Sequence, residues 1–284
     1  MPTATMLDYE FMRNAFMAGG VVAIVAGAVG FFLVLRNLTF AGHALSHVGF
    51  AGAAGSVLVG VGPLWGLLVF TLAAAIAMGL IGERLRGRDV AVGIILSLAL
   101  GLGVLFLYLY TTHATQATAI LFGNVLGVSA ETVWALSGLS AISIGALGFI
   151  SRPLLFATLA PELAEAKGVS LRLISVLFLA VVAIAVAEAA QVVGVLLVFA
   201  LMVGPAAAAL RLTSRVHAGI GLAVCLALAQ TWLGIALAYF TDWPTSFWIV
   251  LLSCSAYFLA MLARVPGRAD GEGRASQEST GTDR

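Results

Sequence analysis

The run NAFMAGGVVAIVAGAVGFFLVL, residues 14–35, holds no charged residue and is followed at once by Arg36. As a helix rising 1.5 Å per residue it is about 33 Å long, enough to cross the ~30 Å hydrocarbon core of a bilayer. It is apolar on every side instead of along one stripe, which is the pattern of a membrane span. Runs of the same kind recur near 43–60, 63–82, 90–110, 131–150, 172–190, 191–210, 217–240 and 246–262. The chain therefore reads as all-α, a polytopic transmembrane helical bundle of eight or nine spans. The count turns on two narrow junctions, Gly60 to Pro63 and Glu188 to Gln191.

Composition agrees. Of 284 residues, 62% are hydrophobic and 10% charged, with a mean hydropathy of +1.10. A soluble domain carries about 25% charged residues. A net charge of +1 excludes nucleic-acid binding, which needs a basic surface to neutralise phosphates. Cys225 and Cys254 each sit inside an apolar run, which suggests small buried thiols and no disulfide framework. Asp8 and Glu10 precede the first run in place of a basic segment, so that run is expected to persist as a helix and not as a cleaved signal peptide.

Basic residues fix the expected orientation, because cytoplasmic loops retain Lys and Arg. Arg84, Arg86 and Arg88 share one loop; Arg152, Lys167 and Arg172 bracket another; Arg211 and Arg215 mark a third; Arg264 and Arg268 follow the last span. Segments 111–130 and 241–245 contain neither Lys nor Arg. A nine-span chain with its C-terminus inside satisfies this alternation, with Arg13 alone on the wrong side. Residues 1–264 form the expected transmembrane unit. Residues 265–284, VPGRADGEGRASQESTGTDR, have no large apolar residue after Val265 and are expected to be a disordered cytoplasmic tail.

Function in such a chain is sought among ionisable residues inside the membrane, where they are costly. His43 and His47, in LTFAGHALSHVGFAG, stand four residues apart, so a helix places both imidazoles on one face with Cβ atoms about 5–6 Å apart. Neutral imidazole is a good ligand for zinc, iron or nickel. Two ligands leave coordination open to water, Ser46 or another helix, which suits an ion that must be released onward. Hydrogen bonding of the pair within the packing is the plainer alternative. A zinc peptidase of the HExxH kind is disfavoured, because Ala44 stands where the glutamate base is needed. Glu188 is read as a solvated carboxylate in an outer link between spans. His113, in TTHATQAT, is read likewise, and both are candidate outer-mouth residues. Glu131, His217 and Asp242 fall near span ends.

The only lysine, Lys167, lies outside any G-x-x-x-x-G-K-[ST] motif, so the chain has no P-loop of its own. Active transport then calls for an ion gradient or a separate ATPase. The cytoplasmic stretch RPLLFATLAPELAEAKGVSLR (152–172) supplies a candidate docking element. Pro161 suits a first helical position and Gly168 a stop. Glu162 and Glu165 near the start and Lys167 near the end match the helix dipole. Leu163 completes the short helix these residues define.

Five stretches in order resemble the permease subunit of the zinc/manganese/iron class of ABC importers: FLVLRNLTFAGHALSHVGFAG (32–52), RDVAVGIILSLALGLG (88–103), ILFGNVLGVS (120–129), LAPELAEAKGVS (159–170) and QVVGVLLVFALMVGPAAAAL (191–210). The resemblance extends over about residues 11–262. It implies that 159–170 is the helix that fits a groove on the ATPase, and that His47 belongs to the ion path. His43 stands where many members carry aspartate, a loss of a hard oxygen ligand that favours zinc over manganese. Zinc is then the expected cargo, followed by manganese or iron. Further implications are a homodimer, an ATP-binding cassette ATPase subunit, an extracytoplasmic metal-binding protein and a bacterial cytoplasmic membrane. No cofactor is held permanently, the metal being cargo, and the permease is not itself an enzyme. A permease for a metal chelate or vitamin, and a zinc-binding membrane enzyme or sensor, are the alternatives.

Overall fold

The computed structural model describes residues 6–81, 88–109, 121–123 and 125–263. After a 3-10 turn at Met6–Asp8, ten α-helices follow among the described residues: α1 (Glu10–Leu35), α2 (Thr39–Leu58), α3 (Pro63–Ile81), α4 (Arg88–Leu109), α5 (Ala130–Leu159), α6 (Pro161–Ala166), α7 (Leu171–Val193), α8 (Val198–Leu212), α9 (Val216–Thr241) and α10 (Thr245–Leu262). No strand occurs among the described residues. Seven of these helices are long and apolar enough to cross a membrane. The two apolar helices outside that group are α2, which carries the histidines, and α8, whose 15 residues extend only about 22 Å. Seven spans with one or both of these two give the bundle of eight or nine read from the sequence. The stretch 265–284 and His113 lie outside the described residues.

The bundle is organised around α1 and α7. α1 packs on α8 and α9, with α10 behind them, while α7 packs on α3 and α2, with α4 on the far side of α2. α5 leans on both central helices. Lipid tails are as apolar as leucine, so burial cannot drive helix association here, and close backbone approach takes its place. A Cβ on Gly30 would overlap the Met202 carbonyl, and one on Gly52 the Gly66 carbonyl. These two positions bring α1 against α8 and α2 against α3.

One end of the bundle is aromatic. Tyr9 lies 5.6 Å from Phe11 and 6.5 Å from Tyr239, and Trp243 stacks on Trp248 at 5.7 Å, all as ring centroids. Such a girdle belongs at a bilayer interface, where amphipathic rings sit at headgroup level. The opposite end carries Arg36, α6 and Arg211, whose Nη2 donates to the Tyr257 hydroxyl at 3.0 Å. Arg36, α6 and Arg211 thus lie at the end opposite the aromatic cluster.

Three expectations need correction. The helix expected to end near residue 150 continues through Arg152 and Pro153 to Leu159. Pro153 removes one backbone bond and crowds the carbonyl four residues back, but apolar Leu154 and Ala157 are buried beyond it and hold the helix on. The junction placed at Glu188 to Gln191 lies instead at Gly194 to Leu197, with α7 intact through Val193. Cys225 and Cys254 are exposed, on the outer faces of α9 and α10. Apolar surroundings in the sequence do not distinguish a lipid-facing side from a buried one.

Candidate functional site

α2 carries the histidine pair with its glycines turned elsewhere. Gly49 and Gly52 meet Leu67, Thr71 and Gly66 of α3, and at 100° per residue His43 and His47 fall on the other side of the helix. Both imidazoles are half-buried. Their ring centroids are 4.7 Å apart with planes at 86°. The Phe199 ring of α8 stands 5.4 Å from His43, edge to face. The pair therefore lies where α2 faces the start of α8.

No group of three His, Cys, Asp or Glu that could hold a metal ion occurs among the described residues. Ser46, considered as a completing ligand, is buried and donates to the Gly42 carbonyl at 3.2 Å. The protein thus offers two nitrogen donors on one face, with the rest of any coordination shell left to water or the ion's next host.

Glu188 is not an outer-mouth loop residue. It lies within α7 at 0% exposure, and its two oxygens accept hydrogen bonds from Ser140 Oγ at 2.6 Å and Ser143 Oγ at 3.0 Å, both on α5. Loop placement fails because a charge inside the membrane reads as a boundary, whereas two hydroxyl donors on a neighbouring helix satisfy it in place. The serines are three residues apart and so share one face of α5. That i,i+3 pair in an apolar run is the available signal. Replacing both serines by alanine is expected to leave a buried carboxylate without these donors, at about 1–3 kcal/mol for each lost partner. Thermal unfolding in detergent should show this loss. Adding Glu188→Met to the double variant should recover most of it, since no polar group then remains to satisfy.

α6 is built as its sequence suggests. Pro161 occupies the first turn, and the chain leaves through Gly168 at φ +82°. The Val169 N–H donates to the Ala164 carbonyl at 2.9 Å, and the Gly168 N–H to the Glu165 carbonyl at 2.9 Å. Ala164 is buried, while Glu162, Leu163, Glu165 and Lys167 face outward. Lys167 Nζ lies 5.8 Å over the Phe156 ring, which pins α6 to the end of α5. His217 and Asp242 are exposed at the two ends of α9, and Glu131 is exposed in the first turn of α5.

The helices long and apolar enough to cross a membrane enclose a few buried polar groups, Glu188 and Arg36 among them. The chain belongs to the ABC 3 transport family, whose pattern matches residues 8–264. It is 31% identical to the manganese import system permease protein ScaB of Streptococcus parasanguinis, over 89% of this chain and 90% of that one. It is 29% identical to the manganese transport system membrane protein MntC of Listeria monocytogenes, over 90% and 92% of the two chains. Among solved structures it matches PsaBC from Streptococcus pneumoniae, in complex with Fab, at a TM-score of 0.81 and 28% identity, covering 91% of this chain and 94% of that one. The protein is thus a multi-pass membrane protein of an ABC transporter family, a transporter subunit rather than an enzyme in itself.

Proposed function

We propose that this permease conducts a divalent first-row metal ion past His43 and His47, with zinc ahead of manganese and iron. The observation that carries the reading is the pair of half-buried imidazoles on one face of α2, 4.7 Å apart. Imidazole donors suit zinc, whereas carboxylate, carbonyl and water donors suit manganese. Manganese is the second reading, favoured by relatives named for manganese import.

The rest of the assembly follows from the same reading. α6 docks on a cytoplasmic ATP-binding cassette ATPase, supported by Leu163 at 53% and Leu159 at 70% exposure beside Glu162, Glu165 and Lys167. Two copies of the chain pair to form the path, and an extracytoplasmic metal-binding protein delivers the ion at the aromatic end. The C-terminus is cytoplasmic, in keeping with the basic end of the bundle.

Elemental analysis of metal-starved cells, with and without the gene and lacking their other zinc and manganese importers, tests the substrate. A deficit confined to zinc is the expected result. A deficit confined to manganese supports the second reading and overturns the argument from the donor set. No deficit in zinc, manganese or iron overturns metal conduction through the histidine pair and returns a metal chelate or vitamin as cargo.

A further inference from the structure

Arg36 closes α1, and its side chain is only 9% exposed. Nη1 donates to the Thr158 hydroxyl at 3.1 Å and to the Leu154 carbonyl at 3.4 Å, and Nη2 donates to the Ser175 hydroxyl at 3.4 Å. The guanidinium carbon stands 5.7 Å over the Phe178 ring. Leu154 and Thr158 lie in the last turns of α5, immediately before α6, while Ser175 and Phe178 lie in the first turns of α7, immediately after it. One side chain thus grips both arms that hold α6.

Its backbone is tied just as closely to the histidine helix. The Arg36 N–H donates to the Phe32 carbonyl at 3.0 Å, and Asn37 turns the chain at φ +54°. The Leu38 N–H donates back to the Leu33 carbonyl at 2.9 Å, and the Leu38 carbonyl accepts from the Gly42 N–H at 3.0 Å in the first turn of α2. His43 is the next residue. One buried side chain and a hydrogen-bonded turn thus connect the arms of α6 to the start of α2.

We propose that Arg36 is a positioning residue that transmits movement of α6 and its flanking arms to the α1–α2 turn and so to the histidine pair. The proposal rests on α6 being the ATPase-docking helix. Arginine suits the task because its planar fork presents donors in two directions, whereas a lysine ammonium is a single point of attachment. Arg36→Lys keeps the charge and can hold one arm; Arg36→Met holds neither.

The test uses the permease co-purified with its ATPase and reconstituted into proteoliposomes, with zinc and manganese as probes. ATP hydrolysis and metal uptake are measured together. In Arg36→Met the metal transported per ATP should fall by about 2- to 30-fold, in keeping with energies carried by single residues in coupling networks. Arg36→Lys should fall between. Thr158→Val combined with Ser175→Ala leaves Arg36 in place and should reproduce part of the loss even if Arg36→Met assembles poorly. A purely structural role predicts less assembled complex with an unchanged ratio of metal to ATP in every variant, and that result overturns the proposal. Failure of the docking reading is distinguishable, because Leu163→Asp on the exposed face of α6 would then leave co-purification of the ATPase unchanged.

Discussion

Alanine at both His43 and His47 reduces metal uptake by at least the ~10–100-fold that loss of even an outer-shell partner costs a metal site, while the permease still accumulates in the membrane. The two effects separate because the imidazoles contribute little to the fold. They are half-buried and their contact with each other is a single edge-to-face pair, worth about 0.5–1.5 kcal/mol beyond area burial. The backbone of α2 is held from its other side, by the close approach of Gly52 to Gly66. Initial rates of zinc and manganese uptake, at matched amounts of protein in the membrane, measure the effect. Uptake at the unsubstituted rate in the double variant removes both residues from the ion path. The same assay applied to His43→Asp tests specificity: one imidazole exchanged for a carboxylate should shift the zinc-to-manganese ratio toward manganese. If that ratio stays fixed, the donor set at position 43 does not select the metal.

What the sequence discloses here follows from the range of each interaction. The spans are legible because an apolar run long enough to cross a bilayer is a local property, and α1, α3 and α9 all lie close to their expected bounds. The histidine face is legible because i,i+4 geometry is local, and α6 because Pro161 and Gly168 mark its ends within eight residues. Glu188 is not, since its partners Ser140 and Ser143 lie 48 and 45 residues away on another helix. Arg36 shows only as the residue that ends the first apolar run, for its acceptors are more than a hundred residues distant. The break between α7 and α8 is displaced for the same reason. A charge is the visible local signal, while the actual turn is at Gly194, one glycine among 32.

That glycine carries the largest expected effect on stability. Gly194 has φ +84°, and a Cβ there would overlap the backbone of Leu121 to Gly123; Gly123, at φ +75°, would in turn overlap Val192 to Gly194. The two segments cross with no room for a side chain on either. The Leu196 N–H donates to the Leu121 carbonyl at 3.2 Å, and the Ser246 hydroxyl to the Phe122 carbonyl at 2.8 Å. Non-helical backbone at membrane depth persists only where it is buried in protein or lines a watery cavity, and these two hydrogen bonds meet part of its need here. Gly60 provides the matched control: its φ is +71°, and a Cβ added there would meet nothing within 4 Å. Gly60→Ala should therefore cost only the left-handed conformation, about 1–2 kcal/mol. Gly194→Ala bears a heavier backbone cost, because φ +84° with ψ 151° is a conformation essentially confined to glycine, and an overlap with main chain that cannot rotate away, adding about 1–3 kcal/mol or more. Thermal unfolding in detergent should rank Gly194→Ala well below Gly60→Ala. Combining Gly194→Ala with Gly123→Ala should cost less than the sum of the two, because the first substitution already parts the segments that the second would crowd. Equal losses at Gly60 and Gly194, or strict additivity across the crossing, would mean that the two segments separate freely and that the turn between α7 and α8 is held from elsewhere.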